Sequence, residues 1–70
     1  MNEFEKIGIE VMETILLGKY KAIINENSIL RQNLLKTEKD AMIATLEIIG
    51  YTVSYDVDKD LKIKAFHITK

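Results

Sequence analysis

His67 is the one side chain in this 70-residue sequence whose ordinary titration range suits proton transfer near neutrality, so general acid–base chemistry would centre on it. Nucleophilic catalysis would also need a hydroxyl or thiol within hydrogen-bond reach and a third group to orient the imidazole. Cysteine is absent, and the spacing of Ser28 and Ser54 places neither beside His67. The glutamates near the start, Glu3, Glu5, Glu10 and Glu13, could build a carboxylate-bridged metal pair only with a Glu-x-x-His partner, which the sequence lacks. Gly8, Gly18 and Gly50 stand alone and form no phosphate-cradling loop. The sequence therefore predicts no catalytic residue, no cofactor site and no metal site, and His67 reads as a strand-face residue.

Two further constellations suggest ligands. Asp56-Val57-Asp58-Lys59-Asp60 resembles the start of a calcium-binding EF-hand loop, where alternating carboxylates converge on a hard cation. Leu61 stands where that loop needs glycine and His67 where it needs the closing glutamate, so the acids read as turn formers that pair with lysines. Tyr51, Tyr55 and Phe66 with Lys62, Lys64 and Lys70 would suit stacking on single-stranded bases. Strict alternation, however, points Lys62 and Lys64 away from the tyrosines.

Composition narrows the classes. Ten Lys+Arg against eleven Asp+Glu give a net charge of −1, whereas a duplex binder usually presents a basic field. Acid gathers at the start, and Lys62, Lys64 and Lys70 sit in a tail with no acid after Asp60. The absence of cysteine fits a reducing compartment, and no apolar run approaches the roughly 20 residues a spanning helix needs. No cationic leader with a cleavage site is evident, so a cytoplasmic location is expected. The many Ile, Lys, Asn and Glu residues and the lack of proline suit an AT-rich genome, a setting associated with phage- or plasmid-borne small proteins.

The elements that must carry these residues follow from periodicity. Asn2 and Glu5 fit the first and fourth places of a capping box, starting a helix over about residues 3–24. Phe4, Ile7, Val11, Ile15 and Ala22 form one stripe of that helix, and Ile9, Met12, Leu16, Tyr20 and Ile23 a second beside it. A helix this apolar needs more than one neighbour. Gly18 is a candidate weak point. Ser28 caps a second helix over about 29–49, whose stripe runs through Leu30, Leu34, Ala41, Ala44 and Ile48, with Thr37 and Asp40 as a candidate restart. Gly50 suits the residue just beyond its end.

From Tyr51 to Thr69 the pattern alternates. A three-residue loop at Asp58-Lys59-Asp60 predicts pairing of Val57 with Leu61, Tyr55 with Ile63, Val53 with Ala65 and Asp56 with Lys62. The alternation slips at Ala65-Phe66, which predicts a bulge there or an edge that meets another chain.

The expected architecture is thus one small α+β domain over residues 1–70: an antiparallel α-helical hairpin followed by a C-terminal β-hairpin over about 51–69, assembled as a homo-oligomer. The expected function is a non-enzymatic protein-interaction module, a regulator, adaptor or inhibitor. Its predicted oligomer or partner interface is Ile9, Met12, Leu16, Leu30, Leu34, Phe66 and Ile68. One alternative is a nucleic-acid-binding regulator whose dimer gathers Lys62, Lys64 and Lys70. The other is a structural subunit of a phage or filament.

Overall fold

A computed structural model describes residues 2–70 as two helices followed by a two-stranded antiparallel sheet. Helix α1 spans Glu3–Asn25. The Asn2 side chain accepts a hydrogen bond from the Glu5 backbone N–H at 2.8 Å, satisfying one of the orphan donors of the first turn, and Glu3 and Glu5 suit its positive end. Gly18 does not interrupt the helix.

The turn that follows is held by side chains as much as by backbone. The Glu26 carboxylate accepts from the N–H groups of Asn27 and Ser28, while the Gln32 amide reaches back to the carbonyls of Ile23 and Glu26 at 3.2 and 2.8 Å. Ser28 caps helix α2, Ile29–Ile48, by accepting from the Arg31 N–H. Thr37 donates to the Asn33 carbonyl inside the unbroken helix, so the restart considered at Thr37-Asp40 does not occur.

Helix α2 ends in a Schellman arrangement. Gly50, at φ +103°, lets its own N–H reach the Glu47 carbonyl and the Tyr51 N–H reach that of Leu46. Tyr51 and Leu46 then meet in the core, the apolar contact that usually accompanies this cap.

Strands β1, Thr52–Val57, and β2, Ile63–Thr69, follow a different register from the expected one. Val57 pairs with Ile63, Asp56 with Ala65, Tyr55 with Phe66, Ser54 with His67, Val53 with Ile68 and Thr52 with Thr69. The loop is the cause. It runs from Asp58 to Lys62, with Leu61 at φ +62°, the Asp58 N–H bonded to the Lys62 carbonyl, and the Asp58 carboxylate accepting from the N–H groups of Asp60 and Lys62. Leu61, expected to pair with Val57, is therefore exposed in the loop. A bulge does form, at Lys64, one residue before the predicted slip. It resolves the slip by letting Ile63, Phe66 and Ile68 all serve the inner face.

Leu16, Leu46, Phe66 and Ile68 are buried at the centre, one from each helix and two from β2. Ile9, Met12, Leu17, Tyr20, Met42, Ile43, Tyr51, Val53 and Ile63 pack around them. The sheet covers one side of the helix pair and is fastened by polar side chains of α1. Glu13 accepts from the Ile68 N–H at 2.8 Å, and the Tyr20 hydroxyl accepts from the Ile63 N–H at 3.2 Å. These bonds occupy donors on the edge of β2 that does not face β1, so α1 closes the very edge the sequence marked for another chain.

Candidate interaction surface

Helical geometry divides each helix into two apolar sides. On α1, Glu13 and Leu17 line a hollow with Ala65 and Phe66, so this side meets the sheet. Phe4, Val11, Ile15 and Ala22 lie roughly 100–140° around the helix from the buried Leu16, where no strand touches them. On α2, Leu46, Met42 and Ile43 turn inward, and Leu30, Leu34, Ala41 and Ile48 lie roughly 120–160° from Leu46.

A groove lined by Met12, Ala41, Met42, Thr45, Leu46 and Ile49 runs between the helices, and no sheet residue contributes to it. Another hollow, of Ile7, Glu10, Val11, Thr14 and Ile15, lies along α1 and shares Glu10 and Thr14 with the hollow at the sheet. Away from the sheet, both helices leave large apolar side chains in water. Phe4 keeps 86%, Ile48 84% and Leu30 80% of its surface exposed, and Leu34, Ile49, Val11 and Ile15 are also open to solvent.

The scale of this face matters. Contiguous exposed apolar patches beyond a few hundred Å² are uncommon on monomers and mark interaction surfaces, and the open side chains here come from both helices. Among the described residues, thirteen large apolar side chains are exposed, against four that are buried.

The seven residues expected at an interface divide between the two sides. Leu30 and Leu34 belong to the open face. Leu16, Phe66 and Ile68 form the chain's own core, and Ile9 and Met12 pack against it half-buried. In this fold the core five are occupied by intramolecular contacts, because the bulge turns Phe66 and Ile68 inward onto Leu16. The open side instead presents Phe4, Val11, Ile15 and Ile48, members of the same helical stripes. The legible signal was size: the Phe4 stripe ends in Ala22, whereas the Ile9 stripe is bulky throughout and better suited to a core.

The polar constellations are arranged differently. His67 Nε2 lies 2.6 Å from Asp56 Oδ2, with Ser54 opposite His67 in the ladder. This corrects the expected Asp56–Lys62 pairing. All three side chains are exposed on the outer face of the sheet, and the Ser54 hydroxyl makes no hydrogen bond to His67 among the described residues. The Asp58 carboxylate is engaged by its own loop. Of the three lysines, Lys62 and Lys64 are exposed around the bulge, while the Lys70 ammonium lies 5.1 Å from the centre of the Tyr51 ring.

No helix is long and apolar enough to cross a membrane among the described residues. Comparison of the chain with protein-family models, with curated proteins and with solved structures finds no match.

Proposed function

We propose that this protein is a small non-enzymatic interaction module, of the regulator, adaptor or inhibitor kind, and that it works by docking a protein surface on the sheet-free face of its helical hairpin. The observation that supports this reading is the exposure of large apolar side chains on both helices, Phe4, Val11 and Ile15 on one and Leu30, Leu34 and Ile48 on the other. Apolar surface of this extent in water is stabilised by covering it, and burial returns roughly 25 cal/mol per Å² before the costs of association.

The test is a paired substitution, Ile15→Glu with Leu34→Glu. Both side chains lie outside the core, so the helical circular dichroism and thermal midpoint should stay near those of the parent, while association of that face with any protein partner, including a second copy, is lost. A parent that shows neither self-association nor protein capture beyond those of the variant overturns the reading.

A further inference from the structure

The two edges of the sheet are treated differently: Glu13 and Tyr20 occupy the far edge of β2, and the far edge of β1 is left open. The direction of each backbone group on β1 follows from those bonds. The N–H groups of Ile68 and Ile63 point away from β1, so their partners Val53 and Val57 sit in non-hydrogen-bonded pairs and turn their own groups away from β2. At the turn the Asp58 N–H bonds the Lys62 carbonyl, the opposite phase one residue on. Val53, Tyr55 and Val57 therefore direct both N–H and C=O outward, and none of these groups has a hydrogen-bond partner among the described residues.

The sheet also overhangs its helices at this edge. Val53, Tyr55 and Val57 share the face of their partners Ile68, Phe66 and Ile63, which is the face that meets the helices. Phe66 is 4% exposed, whereas Tyr55 beside it keeps 58% and Val57 44% of its surface. The helical layer covers β2 and stops short of the outer half of β1, so a further strand has room to lie along it. Edges are ordinarily guarded by lysine, proline or a bulge. Strand β1 has none of these: Asp56 is its single charge, and the bulge lies on β2.

From this we infer that β1 pairs antiparallel with β1 of a second copy, giving one continuous four-stranded sheet about a twofold axis normal to it at Tyr55. The contact lies on an edge apart from the sheet-free helical face and goes beyond the function proposed above.

The strand's own pattern names the occupant. Val53-Ser54-Tyr55-Asp56-Val57 reads apolar, polar, aromatic, polar, apolar in either direction. With Tyr55 on the axis, Tyr55 meets its own copy, Val53 lies opposite Val57 of the second copy, and every outward group gains a partner. On the outer face Ser54 lies opposite Asp56 of the second copy, a hydroxyl donor against a carboxylate. Sliding the pair one way sets Asp56 against Asp56 and leaves Val53 over. Sliding it the other way sets Val57 against Tyr51 of the second copy, whose N–H is already given to the Leu46 carbonyl. A slip of a single residue faces outward groups against inward ones and bonds nothing.

An unrelated extended peptide would be selected by pockets for its alternate side chains. The hollows along α1 and between the helices are lined by none of Val53, Tyr55 and Val57, so this edge offers such a peptide backbone bonds without selection.

Sedimentation equilibrium of the parent at high micromolar concentration should move toward twice the 8.1 kDa chain mass. Amide exchange at Val53, Tyr55 and Val57 should slow several-fold as concentration rises. Tyr55→Lys brings two ammonium groups together at the axis and should weaken the dimer about tenfold or more, with helical circular dichroism unchanged because Tyr55 is exposed. In this cysteine-free chain Tyr55→Cys should oxidise to a covalent dimer, its two copies being about 5.5 Å apart between Cα atoms. The two copies of Thr52→Cys stand about 20 Å apart along the strands and should not cross-link.

A parent that stays monomeric overturns the second copy as occupant. A dimer in which those three amides exchange at the same rate at every concentration, or which cross-links through Thr52→Cys and not Tyr55→Cys, overturns the strand pairing. The Ile15→Glu, Leu34→Glu variant leaves β1 untouched. A dimer lost in that variant and kept in Tyr55→Lys overturns the edge and supports the helical face, and the reverse pattern supports the edge alone.

Discussion

The helical layer has two apolar sides built from much the same side chains, and only one of them is a core. On the sheet side, Leu16 and Leu46 are driven to near-complete burial by Phe66 and Ile68. On the other side, Leu30, Leu34 and Ile48 keep most of their surface in water although they belong to the same helices. What separates the two is polar fastening rather than hydrophobicity. The covered side has Glu13 and Tyr20, which fix the sheet by taking its edge donors. A chain of 70 residues has little core to spread over both sides, and it closes one and leaves the other open to water.

Substitution should expose this difference in graded form. Leu16→Ala should have the largest effect, costing about 2–5 kcal/mol in urea-induced unfolding, enough to leave so small a domain largely unfolded. Leu34→Ala, the same deletion on the open side, should cost less than about 1 kcal/mol when measured on the dissociated chain. Equal losses at the two positions would break the distinction between core and surface.

Next in size is Glu13→Ala, which leaves the part-buried Ile68 N–H without its acceptor and should cost about 1–3 kcal/mol, with faster hydrogen exchange at Ile68. Glu13→Gln keeps a carbonyl oxygen and should recover most of that loss. An unchanged exchange rate in Glu13→Ala would show that the sheet is held by packing alone. Gly50→Ala should cost about 1 kcal/mol through its left-handed φ, lowering the thermal midpoint without altering association. The smallest effect belongs to Ser54→Ala on the outer face of the sheet, where a change within about 0.5 kcal/mol is expected by urea titration.

Much of this architecture was legible in the sequence because it depends on local chemistry. The caps at Asn2 and Ser28, the glycine stop at Gly50 and both helical spans follow from residues within four positions of one another. The strand register was not legible. Strand β2 offers two apolar phases, Ile63 with Ala65 and Phe66 with Ile68, and local alternation cannot choose between them. Burial chooses: a Phe and an Ile against Leu16 remove more apolar surface than an Ala can, and the bulge at Lys64 retains Ile63 as well. The Glu13–Ile68 bond joins residues 55 apart and leaves no periodic trace.

The candidate surface was half legible for a related reason. Periodicity located both stripes of α1 but could not say which faced the sheet, so the bulky Ile9–Met12–Leu16 stripe was assigned outward and proved to be the inner one. On α2 the ambiguity did not arise for Leu30 and Leu34, whose stripe opposes Leu46.

The bond from Glu13 to Ile68 also has a consequence for the order of folding. The caps and the helical turn join near neighbours, whereas this bond closes a loop of 55 residues, the costlier closure, so the sheet docks on helices that form without it. Until it docks, both sides of the helical layer are open to water; afterwards Phe66 and Ile68 cover one side and Glu13 holds them there. The strand that is last in the sequence is thus the one that gives the helices an inside and an outside.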